Sequence, residues 1–247
     1  MKKHSIWVGF FAFMTLGTFV QAQEKELHHY LSLEDVASSL ELLPPPPAVN
    51  SILFLNDEAQ YRWGKMQRPT PRGDQAVSDA RLYGDGLAKS FSEAFGMTIS
   101  KEGTPEIYKL ISHFREDAGD YATRSAKEHY MRMRPFTFYN EDTCNTEQQQ
   151  GLSTNGSYPS GHTAIGWATA LVLAEINVER QNEILKRGYE IGQSRVICGY
   201  HFQSDVDAGR LVASAIVARL HANKEFMNQL NKAKAEFAKL SGRSGNR

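Results

Sequence analysis

From Ser51 onward the apolar residues recur at helical spacing, and this pattern limits the fold more than any other feature of the sequence. In the segment 105–118, for example, four apolar residues follow the i, i+3, i+4, i+7 order of a single helix face (Ile107, Leu110, Ile111 and Phe114). No stretch alternates with a period of two for long, and neither an internal repeat nor an interdomain linker follows residue 50. The pattern therefore predicts one all-α domain, built as a bundle of helices.

The same periodicity predicts where the helices lie. Helices are expected over residues 76–95, 105–118, 122–132, 162–176, 179–195, 206–220 and 224–240, with a short one over 33–42. The tetraproline 44–47 is expected to be extended, because proline lacks the backbone N–H that a helix interior needs. Residues 136–158 are rich in Asn, Thr, Gln, Gly and Ser and are expected to form a loop.

The first 22 residues have the pattern of a secretory signal peptide. Lys2 and Lys3 precede 15 uncharged residues, Ile6–Val20, and Ala22 offers a cleavage point. A retained membrane anchor is the alternative, but a membrane span needs about 20 apolar residues. We expect a signal peptide over 1–22, an N-terminal lead-in over 23–50 and a helical domain over 51–247.

Composition excludes several classes of protein. The 247 residues include 28 Lys+Arg and 28 Asp+Glu, so no overall basic field exists for binding nucleic acid. A mean hydropathy of −0.46, with a single apolar stretch at the N-terminus, excludes a polytopic membrane protein. Two cysteines are too few for a disulfide-dense scaffold or a four-cysteine zinc site.

The two cysteines are expected to form a disulfide after secretion. An oxidising compartment favours pairing of Cys144 with Cys198, and the alternative is two buried free thiols. Closing a loop of this size contributes about 4 kcal/mol in the chain-entropy model. Neither cysteine lies in a motif that would activate it as a nucleophile.

Three polar segments carry candidate chemistry, and the first runs from Lys127 to Pro135. Lys127 and Arg134 are seven positions apart, which is two helical turns, so they are expected to share a helix face that ends at Pro135. Two cations at a helix end could hold an oxyanion. Taken alone, this segment is better explained as a solvated basic face.

The second segment is Gly156–Thr163, directly before a strongly apolar helix. Free backbone N–H groups at a helix start favour an anion, Gly161 permits close approach, and Ser160 adds a hydroxyl donor. His162 is expected at the rim, where it could exchange a proton near neutral pH. The alternative is a simple helix N-cap at Ser160 beside an incidental surface histidine.

The third segment places His201 four residues before Asp205. The carboxylate can hold one imidazole nitrogen and leave the other free, as in an oriented histidine base or nucleophile. Arg195 adds a third cation. The alternative is a helix capped by Ser204 with Asp207 beside a core histidine.

Together the three segments suit a phosphoryl group. Cations and N–H donors would stabilise its equatorial oxygens while one histidine attacks in line and the other protonates the leaving oxygen. Positive side chains would take the place of a metal, and no Walker-type glycine-rich loop is present. Spacing alone does not say which histidine attacks, although the neighbouring Asp205 favours His201.

The composite pattern Lys127-x6-Arg134-Pro135, Pro159-Ser160-Gly161-His162 and Ser194-Arg195-x5-His201-x3-Asp205 resembles a signature shared by type 2 phosphatidic acid phosphatases and vanadium haloperoxidases. The tetraproline with Ala48–Ser51, and the stretches 118–136 and 156–163, are similar to bacterial class A nonspecific acid phosphatases. This resemblance covers nearly all of the chain after residue 22. One departure is Gly209, where the family suggests alanine; we expect it to cost about 1 kcal/mol in helix preference and to touch no chemistry.

The resemblance implies an all-helical core bundle, export to the periplasm, no cofactor or metal, and specific residue roles. His201 would be the nucleophile that forms a phosphohistidine, and Asp205 would orient it. His162 would protonate the leaving group and then activate water. The implied phosphate ligands are Lys127, Arg134, Ser160, the Gly161 N–H and Arg195.

The implied activity is hydrolysis of a broad range of phosphomonoesters, including nucleotides, sugar phosphates and aryl phosphates. Transfer of phosphate to alcohols, binding of vanadate and a homo-oligomeric state are further expectations, with no nucleic-acid partner and no membrane contact after signal cleavage. An acidic optimum is expected, because His162 must be protonated while His201 is neutral. The alternatives are a vanadate-dependent haloperoxidase and a non-catalytic secreted anion-binding protein.

Overall fold

The computed structural model describes residues 29–242, and all regular structure within that range is helical, which confirms the predicted all-α fold. The expected signal peptide over 1–22 lies outside the described residues. The α-helices are α1 (Ser39–Leu42), α2 (Ile52–Gln67), α3 (Pro71–Asp79), α4 (Gly86–Phe95), α5 (Pro105–His113), α6 (Arg124–Tyr130), α7 (Pro135–Phe138), α8 (Gln149–Ser153), α9 (Gly161–Ile176), α10 (Gln181–Ile197), α11 (Gln203–His221) and α12 (Lys224–Leu240). Across residues 29–242, none of these helices combines the length and the apolar character that crossing a membrane requires.

Helix α9 is the centre of the bundle. Its side chains are apolar around most of its circumference, so it is buried on several sides and packs against α10, α11 and the π-helix Asp117–Tyr121. The core also receives apolar side chains from α4, α5 and α12. Because α9 begins at Gly161, packing of this helix fixes the position of the motif Pro159-Ser160-Gly161-His162 at its N-terminus.

Several helix limits differ from the sequence-based expectations. The helix expected over 76–95 is two helices, because the chain turns at Gly84, where φ is +58°, before α4 begins at Gly86. The helix expected over 105–118 ends at His113 and is followed by the π-helix. The expected loop over 136–158 contains most of α7, the short 3-10 helix Thr146–Gln148, and α8.

The N-terminal lead-in packs onto the π-helix. The buried carboxylate of Asp117 accepts hydrogen bonds from His29 Nδ1 at 2.8 Å and from Tyr30 N at 2.9 Å. The His29 ring also stacks on Tyr121, with ring centroids 4.4 Å apart. Residues 44–48, which include the tetraproline, contain no helix, as expected. The lead-in therefore stabilises the π-helix, which lies against the start of α9.

The predicted disulfide joins Cys144 to Cys198, which are 54 positions apart in sequence and have Cα atoms 4.7 Å apart. It ties the segment 136–158 to the end of α10, three residues before His201. A backbone hydrogen bond from Cys144 N to Cys198 O and a bond from Tyr200 Oη to Asn145 O reinforce the same connection.

Candidate active site

The three polar segments converge on one cavity of about 320 Å³ beside the start of α9. Six of the eight predicted catalytic and phosphate-binding residues line it: Lys127, Arg134, Gly161, His162, Arg195 and His201. The other two, Ser160 and Asp205, are fully buried behind its wall. The remaining wall comes from residues 83–123, from 151–155 and from Ile165, so the regions 70–120 and 136–158 both contribute, as expected.

Lys127 and Arg134 reach this cavity by a route different from the predicted one. Helix α6 ends at Tyr130, and Met131 turns the chain with φ +40° and ψ +39°. Arg134 therefore lies in a non-helical segment, and Pro135 begins α7 rather than ending α6. Lys127 and Arg134 therefore do not share a helix face, and the prediction that they do is wrong; the two cations converge through a turn in the chain.

The Arg134 guanidinium is held by several backbone carbonyls. Its Nε donates to Leu152 O at 2.9 Å and to Asn155 O at 3.1 Å, and its Nη1 donates to Tyr200 O at 3.1 Å. The same Nη1 lies 3.0 Å from His201 Nε2. Burial lowers the pKa of Arg134 to about 10, which still leaves it charged at neutral pH. Arg134 is thus a fixed cation beside the candidate nucleophile.

Arg195 differs sharply from Arg134 in its partners. Its side chain is 1% exposed, yet none of its three guanidinium nitrogens has a hydrogen-bond partner among the described residues. Its Cζ lies 3.9 Å from the centroid of the Tyr200 ring. Burial lowers the pKa of Arg195 to about 9. A buried guanidinium without hydrogen-bond partners is costly, and its fork of N–H donors suits an anionic ligand with several oxygens.

His201 lies two residues before the start of α11, and Asp205 in the first turn of that helix reaches back to it. His201 Nδ1 is 3.5 Å from Asp205 Oδ2 and 3.3 Å from Ser157 Oγ. Asp205 Oδ2 also accepts from Phe202 N at 2.8 Å, so Asp205 caps this helix and the alternative of a cap by Ser204 is wrong. The contacts on Nδ1 leave His201 Nε2 directed toward Arg134 and the cavity.

A network that the sequence did not reveal supports Asp205. Arg132 Nη1 donates to Asp205 Oδ1 at 2.5 Å, and its Nη2 donates to Asp57 Oδ2 at 2.7 Å. Asp57 in turn accepts from both the backbone N and the hydroxyl of Ser204. Ser157 Oγ donates to Asp205 Oδ2 at 2.5 Å. Arg132 and Ser157 lie within the first and second polar segments, so the sequence could have identified them, whereas nothing in the sequence singles out Asp57.

His162 has a simpler environment. In the first turn of α9, its Nε2 is 3.2 Å from the carbonyl oxygen of Ala80. Because a carbonyl oxygen only accepts, Nε2 carries hydrogen, and Nδ1 is the nitrogen that exchanges a proton. Ala80 follows Asp79, whose buried carboxylate accepts from Ser194 Oγ at 2.6 Å and from Arg187. One anchored backbone carbonyl thus orients this ring.

Electrostatics does not yet separate the two histidines in the ligand-free protein. The pKa of His162 is held well below its ordinary value, first by burial and then by the cation of Arg195. The pKa of His201 is also well below its ordinary value, first by burial and then by Arg134. Burial likewise lowers the pKa of Lys127. A bound dianion would offset the nearby positive charges and favour protonation of a histidine.

Ser160 and Gly161 form the start of α9. Ser160 Oγ accepts from Thr163 N at 3.3 Å and from Thr163 Oγ1 at 2.9 Å, so the serine is indeed an N-cap, with its own hydroxyl hydrogen still available. A Cβ at Gly161 would lie 2.5 Å from Gly119 O, so only glycine fits there. N–H groups of this first helical turn have no intrahelical acceptor.

Gly209 is closer to this site than expected. A Cβ at Gly209 would lie 2.7 Å from Ser160 O and 3.0 Å from Thr163 Cβ. Helix α11 therefore packs directly on the N-cap of α9, and a side chain at position 209 would displace the start of that helix. Within residues 29–242, no three His, Cys, Asp or Glu side chains gather as a group that could hold a metal ion.

Comparison with known proteins is consistent with this geometry. Residues 118–227, which include all eight predicted residues, match the PAP2 superfamily. The chain is 65% identical over 212 residues to a non-specific acid phosphatase of Providencia stuartii, covering 86% of each chain. It belongs to the bacterial non-specific acid phosphatases. A non-specific acid phosphatase of Salmonella typhimurium is 41% identical over 233 residues, covering 94% of this chain and 92% of its own. The sequence-based prediction of an acid phosphatase is confirmed.

Proposed function

We propose that this acid phosphatase is exported to the periplasm and hydrolyses phosphomonoesters through a phosphohistidine at His201. The observation that carries the proposal is the Arg195 guanidinium, which is buried without hydrogen-bond partners among the described residues and lines the same cavity as both histidines. A phosphoryl group with three equatorial oxygens supplies the acceptors that this guanidinium lacks. The predicted signal peptide supports export.

In the substrate complex, positive charges and N–H groups surround the phosphoryl group. The proposed ligands are the side chains of Lys127, Arg134 and Arg195, the Gly161 N–H and the Ser160 hydroxyl. Arg134 Nη1 transfers its hydrogen bond from His201 Nε2 to a phosphate oxygen, which frees the lone pair of that nitrogen. Because these donors are already fixed before the reaction, they stabilise the transition state at little reorganisation cost.

The first chemical step forms a bond between His201 Nε2 and phosphorus while the bond from phosphorus to the leaving oxygen breaks. His162 Nδ1 gives its proton to that leaving oxygen. Asp205 and Ser157 keep the Nδ1 side of His201 oriented and stabilise the positive charge that develops on the ring. In the second step His162 removes a proton from water, the oxygen attacks phosphorus, and His201 leaves as the neutral imidazole.

This sequence of steps requires a protonated His162 and a neutral His201 in the same complex. Phosphate binding raises the low pKa of His162, because it offsets the positive charge of Arg195. Activity is therefore expected to fall as pH rises through the pKa of His162 in the complex. The proposed ligands contact mainly the phosphoryl group, which supports hydrolysis of a broad range of substrates among nucleotide, sugar and aryl phosphates.

The other expectations concern partners of the enzyme. An alcohol in place of water would give phosphate transfer, and vanadate would occupy the ligands of the phosphoryl group. We further propose a homo-oligomer with no nucleic-acid partner and no membrane contact after signal cleavage. No metal or other cofactor is assigned a role, since Lys127, Arg134 and Arg195 supply the positive charge.

The test is hydrolysis of p-nitrophenyl phosphate at pH 6 with and without EDTA, together with an alkaline quench of ³²P-labelled substrate. We expect activity that resists EDTA and a labelled histidine that disappears in His201→Ala. The control is His129→Ala, an exposed histidine outside the cavity. Loss of activity in EDTA, or label on another residue, would overturn the mechanism. An inert enzyme that oxidises bromide with vanadate would indicate the haloperoxidase alternative.

A further inference from the structure

A second and larger cavity adjoins the candidate active site. This open groove of about 930 Å³ lies between α3, α4 and α10, and its charged residues include both signs, such as Arg81, Asp85 and Lys89. Among the described residues, only Tyr83 lines both this groove and the catalytic cavity. Tyr83 therefore stands at the passage between them.

The Tyr83 ring is exposed and held in place. Its side chain is 57% exposed, and the Arg115 Cζ lies 4.7 Å from the ring centroid. Arg115 is itself fixed by a hydrogen bond from its Nε to Glu116 Oε1 at 3.0 Å. A cation over one face restrains the ring without enclosing it. The ring thus offers an apolar surface at the mouth of the cavity.

Tyr83 also lies beside the candidate general acid. The centroids of the Tyr83 and His162 rings are 6.4 Å apart, with their planes at 73°. The histidine that protonates the leaving oxygen must lie within hydrogen-bond distance of it. The phosphate-binding residues occupy the other sides of the phosphoryl group. The leaving group attached to that oxygen therefore extends from His162 toward Tyr83 and the groove.

We propose that Tyr83 forms a leaving-group subsite that favours aryl phosphates, whose aromatic ring is attached directly to the leaving oxygen. Such a ring meets the Tyr83 ring in an edge or offset contact, whereas a short alkyl group does not reach it. The groove beyond Tyr83 receives substituents of the aryl ring. This inference rests on the proposed role of His162, and it assigns Tyr83 to binding rather than to proton transfer.

The test compares Tyr83→Ala and Tyr83→Phe with the wild type on phenyl, cyclohexyl and ethyl phosphate. Comparing variants on each substrate removes the intrinsic reactivity of the leaving group. We expect Tyr83→Ala to lower kcat/KM for phenyl phosphate about 3- to 10-fold, with changes below about 2-fold for ethyl phosphate. Tyr83→Phe retains the aromatic preference, and cyclohexyl phosphate separates aromatic contact from mere size.

Inorganic phosphate and a matched variant serve as controls. The inhibition constant of phosphate is expected to stay unchanged in Tyr83→Ala, because phosphate has no leaving group. Tyr189→Ala removes another exposed tyrosine beneath an arginine, one that lines neither cavity, and should change the kcat/KM of no substrate. Equal losses on all three substrates, or a raised phosphate inhibition constant, would overturn the subsite. Failure of the phosphohistidine mechanism is read separately, from the labelled histidine of the wild type.

Discussion

The two sides of the catalytic cavity are built differently. On one side, His201 contacts Arg134 through Nε2 and lies against Ser157 and Asp205 through Nδ1. Behind Asp205, Arg132 connects to a second buried carboxylate, that of Asp57. On the other side, His162 has one hydrogen bond, to the carbonyl of Ala80, and an exposed tyrosine nearby.

This difference follows the demands that the proposed reaction places on each ring. A nucleophile must point at phosphorus in a narrow range of directions, so several fixed contacts on its other nitrogen favour the reaction. A general acid must instead gain and lose a proton during each turnover. Because the hydrogen-bond partner of His162 is a neutral carbonyl, the charge of the bound ligand determines whether the ring is protonated. The comparison predicts that substitutions on the two sides differ in kind as well as in size.

The largest effect is expected for His201→Ala. Removing the nucleophile should lower kcat for every substrate by at least about 10⁴-fold, because no other group replaces its bond to phosphorus. Steady-state kinetics with p-nitrophenyl and ethyl phosphate measure this, with His129→Ala as the control. A fold-loss relative to the wild type that differs strongly between the two substrates would contradict the assignment of His201 as nucleophile.

His162→Ala should give an effect that depends on the leaving group. For ethyl phosphate, loss of the proton donor should lower kcat/KM about 10³-fold, within the usual range for general acid catalysis. For p-nitrophenyl phosphate the loss in kcat/KM should be far smaller, since p-nitrophenolate departs without protonation, whereas kcat should fall for both substrates because His162 also activates water in the second step. A plot of log kcat/KM against the leaving-group pKa should become steeper in the variant. An unchanged slope would assign the proton transfer to another group.

Arg195→Gln links the two sides, because Arg195 is a proposed phosphate ligand and its charge lowers the pKa of His162. We expect kcat/KM to fall about 10²-fold, as for removal of one donor to a developing oxyanion. The pKa of His162 should rise in the ligand-free variant, because a cation that lowers it has been removed. NMR titration of the His162 ring measures this shift. A pKa that stays the same or falls would show that Arg195 does not act on this ring.

Ser157→Ala should have a moderate effect that is confined to the His201 side. It removes the hydroxyl that contacts both Asp205 and His201, and we expect kcat to fall about 10-fold because orientation is impaired. KM and the leaving-group slope should change little. Ser153→Ala, an exposed serine on α8, is the matched control. A steeper leaving-group slope would instead place Ser157 on the pathway of the proton.

The smallest effect concerns stability. Because the pKa of both histidines is lower in the folded protein than the ordinary 6.5, the unfolded chain binds more protons below that pH. The free energy of unfolding should therefore fall as pH drops below about 6.5. Urea denaturation of the ligand-free enzyme measures the slope, which should be shallower in His201→Ala. Saturating phosphate should also reduce it, because the bound anion favours protonated histidine.

The accuracy of the sequence-based predictions depended on whether a feature is local. The limits of α12 were predicted correctly, because its apolar face and the Asn223 cap lie within one short segment. The start of α9 at the Ser160 cap was also local. The break between α3 and α4 was missed, since a helical apolar pattern continued through the turn at Gly84.

The sequence by itself determined which residue types could carry the proposed phosphoryl transfer, since the spacing of the motif residues can be read without the tertiary structure. It identified Lys127 and Arg134 while giving the wrong reason for their convergence. Only the tertiary structure decided the contacts made across the chain: Arg132 with Asp57, 75 positions apart, and His162 with the Ala80 carbonyl, 82 positions apart. The physical reason is that nothing in the sequence marks which backbone carbonyl will accept a hydrogen bond from a distant side chain. The role of a buried charge such as Arg195 likewise depends on which partners lie around it once the chain has packed.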